Sequence, residues 1–213
     1  MPYLIKEIFY SLQGEGINTG RPAIFCRFSG CNLWNGIQSD RDKSTCSFCD
    51  TDFIGTNGTF GGQYSTPAEL IDRFQKIAET CEKPGVFPMI VFTGGEPLLQ
   101  VDAVLIGEVR KAGFFLAIET NGTIKLPFSA DWLTVSPKSG TLLKQTTGDE
   151  LKLIFPQKNI VPSDFLKLDF KHFCLQPLDC THLKENINRC IEFCLKNPIW
   201  RLSLQTHKLL NIR

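Results

Sequence analysis

"FPMIVFTGGEP", residues 87–97, is an apolar run that ends in two glycines, an acid and a proline. Short apolar runs bounded by turn residues are typical of buried strands. The paired glycines allow the backbone to turn sharply and to approach a ligand closely. The stretch therefore predicts a buried strand that runs into a glycine-rich turn.

Helices are predicted on both sides of this strand. Residues 64–85, YSTPAELIDRFQKIAETCEKPG, carry helix start signals, with a threonine and a proline at 66–67 and Glu69 at the reciprocal capping position. A second helix is expected around residues 101–112, with Gly113 as its C-cap. The order helix, strand, helix indicates β/α units.

The alternation of strands with helices or long connections continues along the chain. A parallel sheet is the usual result of such alternation. Too few strands are visible for a closed eight-fold barrel, so we predict an α/β fold, a partial (incomplete) β/α barrel with parallel strands, in one domain. The segments that carry the pattern are FFLAIETNG, DWLTVSPKSG, ELKLIFP, FLKLDFKHFCLQPLD, the helical HLKENINRCIEFCLKNP and IWRLSLQTHK.

Several of the apolar runs end in small or polar residues. In a parallel β/α architecture the strand ends lie on one rim, where binding sites are built. We therefore expect a site at this rim. The residues concerned are Thr93 to Glu96, Glu119 to Asn121, Ser136, Lys138, Gln176, Asp179, Gln205 and His207.

Charge and targeting signals argue against several classes of protein. The 213 residues include 23 basic and 22 acidic side chains without long runs of one sign, so no nucleic-acid partner is predicted. The N-terminal segment lacks the features of a signal peptide and no apolar run approaches membrane-spanning length, which predicts a cytoplasmic protein without a membrane partner. Nine cysteines, an odd number, favour metal or redox chemistry over a disulfide framework.

The segment CNLWNGIQSDRDKSTCSFCD, residues 31–50, holds three of these cysteines. Fourteen residues separate Cys31 from Cys46, and two separate Cys46 from Cys49. Four thiolates close a structural zinc site, whereas an iron–sulfur cluster held by three thiolates leaves one iron open. From these residues alone, a structural zinc site and free thiols remain alternatives to a cluster.

Cys26 is predicted to be a packing residue. In the apparent strand RPAIFCRFSG, Cys26 shares one face with Ile24 and Phe28, while Phe25 and Arg27 share the other. An apolar face of this kind favours a buried thiol over a metal ligand.

Cys190 and Cys194 lie four residues apart on a predicted helix, together with Ile187, Ile191 and Leu195. This spacing places the cysteines on one face of the helix. Core packing is therefore the favoured interpretation for both.

Three features together resemble the radical S-adenosylmethionine superfamily, whose members hold a [4Fe–4S] cluster with three cysteines, commonly spaced C-x3-C-x2-C. The last two cysteines match that spacing, and Phe48 between them matches the usual aromatic residue. TGGEP at residues 93–97 matches the superfamily's glycine-rich strand end, whereas the first cysteine gap is longer. The resemblance implies that an open iron binds the amino and carboxylate groups of S-adenosylmethionine.

Within the superfamily, the chain is similar to the 7-carboxy-7-deazaguanine synthase family, in which some members have a long first cysteine gap. The similarity starts in IFYSLQGEGINTGRPAIFCRFSGCNLW and continues through FCDTDF, TGGEP, ETNGT, SPK, LKL, LQPLD and LSLQTHK. It implies one radical S-adenosylmethionine domain over residues 1–213, with a modified cluster-binding loop at 31–49.

The similarity also implies a reaction in queuosine and 7-deazapurine biosynthesis. A 5′-deoxyadenosyl radical would abstract hydrogen from C6 of 6-carboxy-5,6,7,8-tetrahydropterin. The substrate radical would rearrange, contract its ring, take hydrogen back and lose ammonia. The product would be 7-carboxy-7-deazaguanine, with S-adenosylmethionine regenerated.

The family's functional residues are assigned to positions here by the same similarity. The cluster ligands would be Cys31, Cys46 and Cys49, Thr51 would bind Mg²⁺ next to the substrate, and Glu119 and Asn121 would meet the ribose. The S-adenosylmethionine site would be lined by Phe48, Cys49, Asp50, Gly95, Ser136, Pro137, Lys138, Gln176, Pro177, Leu178 and Asp179. The pterin substrate would be held by Leu12, Gln13, Gly14, Glu15, Arg27, Thr93, His207 and Arg213.

The chemistry of several of these residues suits the implied roles. The ammonium of Lys138 suits a carboxylate, and Arg27 offers a bidentate partner to the substrate carboxylate. The amide of Gln13 and the carboxylate of Glu15 can pair with an aminopyrimidine edge. In the family the terminal carboxylate reaches the substrate pocket, and here it would belong to Arg213, at the end of LLNIR rather than of a shorter apolar or proline finish.

The similarity further implies an external one-electron donor such as flavodoxin, and a homodimer. Two other functions are weighed against this one. A glycyl-radical-enzyme activating enzyme shares the cluster but acts on a protein, and a non-enzymatic zinc-binding module would need neither cluster nor substrate.

Overall fold

The computed structural model describes residues 1–82 and 87–213, so the end of the first predicted helix segment, 83–85, lies outside the described residues. The strands are β1 Tyr3–Leu12, β2 Pro22–Phe28, β3 Gly62–Tyr64, β4 Met89–Gly94, β5 Leu116–Thr120, β6 Trp132–Val135, β7 Thr147–Phe155, β8 Asp169–Pro177 and β9 Trp200–Leu202. The helices are α1 Pro67–Ala78, α2 Ala103–Lys111, α3 Leu183–Lys196 and α4 Thr206–Leu210, with short 3₁₀ turns at Gln38–Lys43, Pro97–Leu99 and Pro162–Phe165.

The strands form one sheet in the order β3-β1-β2-β4-β5-β6-β7-β8-β9. From β2 to β9 every neighbouring pair is parallel, while β1 runs antiparallel to β2 and β3. The sheet is open, since β3 and β9 form its two edges. The predicted α/β fold, a partial barrel with parallel strands, is confirmed in this form.

One face of the sheet carries the main core. Alternate residues of the strands, Ile24 and Cys26 of β2 or Ile90 and Phe92 of β4, pack with buried residues of α1, α2 and α3. The prediction that Cys26 packs against apolar neighbours is confirmed, because its side chain is fully buried in this cluster.

The opposite face has a smaller apolar cluster and then turns polar. Phe25 of β2 stacks on Phe9 of β1 with ring centroids 5.0 Å apart, and both pack with Met89 and Val91 of β4. Further along the strands this face carries charged side chains, including Arg27. It is the face on which a cavity forms.

The ends of α1 and α2 follow the sequence signals. Thr66 caps α1 by accepting a hydrogen bond from the backbone N–H of Glu69, and Gly113 follows α2 with a φ of 84°. The reciprocal bond differs by one position, because the Glu69 carboxylate accepts from the N–H of Ser65, the residue before the cap. The start of α1 is therefore fixed from both sides of Thr66.

The predicted inner face of α3 is wrong in part. Cys190 is buried and Cys194 is half-buried, as expected, but Ile191 and Leu195 are exposed. Phe193 packs against the core instead, with its ring 6.1 Å from that of Trp200 in β9. The spacing of four placed the cysteines correctly, but α3 covers the sheet with a narrower stripe than the sequence indicated.

Across the described residues, none of the helices combines the length and the apolar character needed to cross a membrane.

Candidate active site

A cavity of about 380 Å³ opens on the polar face, at the carboxyl ends of the parallel strands. This volume is in the range of small-molecule sites. It is lined by every site residue assigned from the sequence except Pro137: Leu12, Gln13, Gly14, Glu15, Arg27, Cys31, Cys46, Phe48, Cys49, Asp50, Thr51, Thr93, Gly95, Glu119, Asn121, Ser136, Lys138, Gln176, Pro177, Leu178, Asp179, His207 and Arg213.

Pro137 is buried beside the cavity rather than in its lining. Its carbonyl oxygen accepts a hydrogen bond from Nε2 of Gln157, 3.3 Å away. The segment from Ser136 to Lys138 therefore presents its two polar side chains to the cavity, with the proline between them turned into the protein.

The first cysteine and the glycine-rich turn are packed directly together. The backbone N–H of Glu96 donates to the carbonyl of Gly30, 2.9 Å away. A side chain at Gly95 would collide with that carbonyl and would lie 2.9 Å from Cβ of Cys31. Only glycine fits at position 95, since the backbone that carries Cys31 occupies the space.

Glu96 fixes the other side of the same turn. Its carboxylate is completely buried and accepts hydrogen bonds from the hydroxyl of Thr120 and the backbone N–H groups of Leu98 and Asn121, all within 3.0 Å. Burial raises the pKa of this carboxyl group, and the bonds from Asn121 and Leu98 oppose the shift. The turn after β4 is thereby tied to the end of β5.

All nine cysteines are free thiols, and Cys31, Cys46 and Cys49 share the cavity wall. A hydrogen bond from Cys46 lowers the pKa of Cys49 to about 6. The same bond, together with burial, raises the pKa of Cys46, and burial raises that of Cys31. The thiolate, which is the form that binds metal, is thus most accessible at Cys49.

No group of three or more His, Cys, Asp or Glu residues within 1–82 and 87–213 is gathered closely enough to bind a single metal ion. A [4Fe–4S] cluster does not require such a gathering, because each of its thiolates binds a different iron atom.

Lys138 is a cation in the same cavity wall as the thiols. Its ammonium donates to the carbonyl oxygen and the hydroxyl of Ser136, each 2.7 Å away. Burial lowers the pKa of Lys138, and electrostatic interaction with Cys46 and Cys49 opposes that shift. A buried ammonium beside the cysteines is suited to an anionic ligand group.

Lys208, in α4, joins two sides of the cavity. Its ammonium lies 2.5 Å from a carboxylate oxygen of Asp50, after the cysteine pair, and 2.5 Å from one of Asp179, after β8. Burial would raise the pKa of Asp50, but the hydrogen bond and charge of Lys208 outweigh burial and lower it. Through these two ion pairs, α4 holds the two aspartates together.

A buried ion network lies on the other side. Lys152 of β7, 5% exposed, places its ammonium 2.6 Å from the carboxylate of Glu15 and 3.6 Å from that of Glu119. The amide of Gln13 donates to Glu119 at 3.0 Å, and the hydroxyl of Thr93 donates to it at 3.2 Å. The network joins the segment after β1 to the ends of β4, β5 and β7.

The charge of Lys152 decides the ionisation of Glu15. Burial alone would raise the pKa of Glu15, but the charge and hydrogen bond of Lys152 lower it to about 2, helped by Gln205. Burial lowers the pKa of Lys152 itself, and attraction to Glu119 and Glu15 more than compensates. Glu15 is therefore a fixed hydrogen-bond acceptor at neutral pH.

Arg27 is turned toward the cavity, as predicted, and is already paired there. Its Nε donates to the carboxylate of Glu7, 3.0 Å away. The guanidinium of Arg213 pairs with the same carboxylate and lies 4.9 Å from the ring centre of Phe9. The carboxylate of Glu7 is thus shared by two guanidinium groups.

The C-terminal segment closes the cavity beside β1. The hydroxyl of Ser11 donates to the backbone oxygen of Arg213, 2.6 Å away, and the N–H of Thr206 donates to the carbonyl of Gly14 at 2.9 Å. A side chain at Gly14 would collide with His207. The chain end therefore lies in the cavity wall, where the similarity placed it.

Glu7, Lys152 and Lys208 were not among the residues assigned from the sequence, yet each makes an ion pair at the cavity. Lys152 had a signal, because it alternates with Leu151 and Leu153 in a predicted strand and so lies on the face opposite the core. Such alternation is usually interpreted as a solvated face, which is why the residue was missed.

No protein-family model matches the chain. Curated relatives do: the chain is 51% identical to the 7-carboxy-7-deazaguanine synthase of Bradyrhizobium diazoefficiens, over 100% of both sequences. It is 49% identical to the 7-carboxy-7-deazaguanine synthase of Burkholderia multivorans, again over 100% of both.

Among solved structures, the crystal structure of QueE from Escherichia coli is similar, with a TM-score of 0.72 and 27% sequence identity. The match covers 96% of this chain and 94% of that one. The sequence and structural likenesses therefore extend over the whole cavity. On this combined evidence, the chain belongs to the 7-carboxy-7-deazaguanine synthase family of radical S-adenosylmethionine enzymes, which use a [4Fe–4S] cluster and S-adenosylmethionine.

Proposed function

We propose that this chain converts 6-carboxy-5,6,7,8-tetrahydropterin to 7-carboxy-7-deazaguanine with loss of ammonia, in queuosine and 7-deazapurine biosynthesis. The observation that carries the proposal is the composition of one cavity. Three free thiols, the glycine-rich turn and the Glu15–Lys152 network line it together, in a chain whose relatives carry this enzyme name over their full length.

Cys31, Cys46 and Cys49 would hold the cluster, and the packing of Gly95 against Cys31 fits a ligand approached by backbone. When bound, the cluster and S-adenosylmethionine supply the radical that removes hydrogen from C6 of the substrate. The protein orients the reactants and excludes water.

The residues around Lys138 fit the methionine end of S-adenosylmethionine. A lysine ammonium has three protons, and Lys138 donates two hydrogen bonds to Ser136, so its third proton can be donated to the methionine carboxylate. Asp50 and Asp179, held by Lys208, lie next to Phe48 and Gln176 in the same wall. These anionic groups suit a cationic cosubstrate.

The ion network fits the heterocycle of the substrate. Glu15 is ionised and Gln13 offers an amide, so together they can pair with an aminopyrimidine edge. Arg27 and Arg213 share Glu7, and the remaining N–H groups of Arg27 can donate to the substrate carboxylate. Thr93, His207, Leu12 and Gly14 complete this side.

Mg²⁺ would bind at Thr51, where a hydroxyl oxygen in the cavity wall is a suitable hard ligand. Mg²⁺ usually keeps few protein ligands and completes its coordination with water and substrate. Its position between Thr51 and the substrate carboxylate would orient the reacting pterin.

The wider setting follows from the same family membership. We propose one domain over residues 1–213, an external one-electron donor such as flavodoxin, and a reducing compartment, the cytoplasm, which nine free thiols support. The exposed apolar side chains of Ile191, Leu195 and Ile199 support a homodimer.

The test is anaerobic incubation of the reconstituted protein with reductant, S-adenosylmethionine, Mg²⁺ and the carboxytetrahydropterin, without any protein substrate. We expect 7-carboxy-7-deazaguanine and one equivalent of ammonia, and omission of Mg²⁺ should slow product formation. If the loaded protein forms no deazaguanine acid, the proposal is wrong. Zinc without sulfide in the purified protein would favour the zinc-binding module instead.

A further inference from the structure

The segment between Cys31 and Cys46 sends one side chain to the cysteine pair. Nη1 of Arg41, in the 3₁₀ turn Gln38–Lys43, donates to the carbonyl oxygens of Ser47 and Cys49, each 2.9 Å away. Ser47 directly follows Cys46, so the guanidinium bridges both ends of the turn that carries the two thiols. The inserted residues thus contact the cysteine pair directly.

Arg41 is itself held by aromatic packing. Its guanidinium carbon lies 4.1 Å from the ring centre of Trp34, and its Nε donates to Gln38 at 2.9 Å. Trp34 is 7% exposed and packs edge-on against Phe53, with ring centroids 5.6 Å apart. The contacts form a continuous path from Phe53, past Trp34 and Arg41, to the cysteine pair.

These contacts require an arginine. The planar guanidinium can stack on an indole and donate from its edge at the same time, whereas a lysine ammonium is a point charge without a stacking plane. Hydrogen bonds from a cation to a carbonyl are also stronger than those between neutral groups. A loop with many exposed polar residues therefore gains one rigid contact, and that contact is at the cluster ligands.

We propose that Arg41 is the positioning residue of the Cys46–Cys49 half of the cluster site, with Trp34 as the surface on which it rests. The inference rests on the proposed function, because it assumes that these thiols hold the cluster. The long first cysteine gap then has a structural role, since the inserted residues include Arg41, which positions the Cys46–Cys49 pair.

The charge of Arg41 adds a second consequence. Cluster potentials depend on nearby charge and hydrogen bonds, and a fixed cation beside the ligands favours the state with one more electron. Removing the cation should therefore shift the reduction potential of the cluster to more negative values. A purely structural loop contact would leave the potential unchanged.

The first experiment compares Arg41→Gln, Arg41→Lys and the reconstituted parent protein. We expect Arg41→Gln to release iron to a chelator about tenfold faster, as is typical when a group that orients a metal ligand is removed. Arg41→Lys should keep the potential near that of the parent but still release iron faster. Trp34→Ala should release iron faster, and Trp34→Phe should remain closer to the parent.

Arg110→Gln is the matched control. Arg110 also donates to a backbone carbonyl, that of Ser129 at 2.8 Å, but it lies outside the cavity lining. Its loss should change neither iron release nor potential. Equal iron release and equal potential for Arg41→Gln and the parent would overturn the inference.

A second readout needs no cofactor. In the metal-free protein Cys46 is 7% exposed, so alkylation at this site, followed by mass spectrometry, should be slow and should accelerate in Arg41→Gln. An unchanged rate of Cys46 alkylation in Arg41→Gln would count against a positioning role for Arg41. If the parent protein assembles no cluster, the proposed function fails, and this labelling still decides whether Arg41 positions the cysteine pair.

Discussion

Two walls of the cavity hold their functional groups by different means. The cluster wall, residues 31–51, is a loop whose contacts run through backbone carbonyls, such as those that Arg41 binds. The ion-paired wall, Glu15, Glu119 and Lys152, consists of buried charges on and beside strands of the sheet. The cluster wall has groups that can bind an added cofactor, whereas the charges of the ion-paired wall are already paired with one another.

The difference has an energetic reason. Buried charges are tolerated only when each finds a partner, so the ion-paired wall has to be satisfied by the protein itself. Thiols with raised pKa values, such as those of Cys31 and Cys46, carry no such demand, so a loop can hold them without partner charges before iron binds. We therefore predict that substitutions in the cluster wall reduce activity alone, whereas substitutions in the ion-paired wall also lower the free energy of unfolding.

The largest expected effect is that of Cys31→Ala. Loss of one of three thiolates should reduce the iron and sulfide content and bring deazaguanine formation below detection, because one iron of the cluster loses its protein ligand. Unfolding of the metal-free protein should hardly change. Iron and sulfide analysis, product assay and thermal unfolding provide the measurements.

Cys180→Ala is the control for that variant, since Cys180 is exposed and its sulfur accepts hydrogen bonds from the side-chain amide of Asn186 and the N–H of His182. It should keep cluster and activity. A Cys31→Ala protein with a normal cluster would show that the ligand set is wrong, and one that fails to fold would break the comparison between the walls.

The second effect is that of Lys152→Met, which leaves Glu15 and Glu119 buried without their cation. Removing one partner of a buried ion pair typically costs about 3 to 5 kcal/mol of unfolding free energy. Activity should fall at least a hundredfold, because Glu15 is no longer a fixed acceptor for the substrate. Chemical denaturation and steady-state kinetics measure the two losses.

The direction in which stability changes with pH should differ between Lys152→Met and the parent protein. With Lys152 present, the pKa of Glu15 is about 2, so its stabilising contribution is complete above the unfolded pKa and is lost only as pH falls toward 2. Without Lys152, burial raises the pKa of Glu15, so the variant should be less stable at pH 7 than at pH 5.

Other charged groups face the Glu15–Lys152 pair and also contribute to the pH dependence of stability. They are Glu119, Glu150, Lys138 and Asp50. Lys171→Met is the control, because Lys171 pairs with Asp149 at 2.7 Å on the surface. Equal pH profiles for Lys152→Met and Lys171→Met would rule out the role given to Lys152.

Local signals explain which parts of the structure the sequence predicts. The start of α1 is set by Thr66 and its neighbours, and the rim of the cavity is set by residues at strand ends, such as Thr93 and Ser136. Both features depend on residues close together in the chain. Capping signals and the polar ends of apolar runs are therefore enough to predict them.

Contacts between residues far apart in the sequence explain what the sequence did not predict. Lys152 is buried because the segment carrying Glu15 covers its face of the sheet, a contact between residues 137 positions apart. Leu195 is exposed although the sequence grouped it with Cys190 on the inner side of α3, because helix periodicity does not give the width of the helix face that packs against the sheet. Arg41 lies in a polar loop, where only the fold brings it to Cys49.

The smallest expected effect is that of Lys208→Gln, at the junction of the cluster wall and the strand ends. Lys208 is 38% exposed, and partly exposed ion pairs contribute little, so we expect a two- to fivefold increase in KM for S-adenosylmethionine (about 0.4 to 1 kcal/mol) with kcat unchanged. High salt should raise the KM of the parent toward that of the variant, since screening weakens the same pairs. Lys76→Gln is the control, because Lys76 pairs with Asp72 at 2.7 Å on α1, against the other face of the sheet. A fall in kcat for Lys208→Gln would mean that α4 shapes the chemistry itself, and the two walls would then have to be treated as one unit.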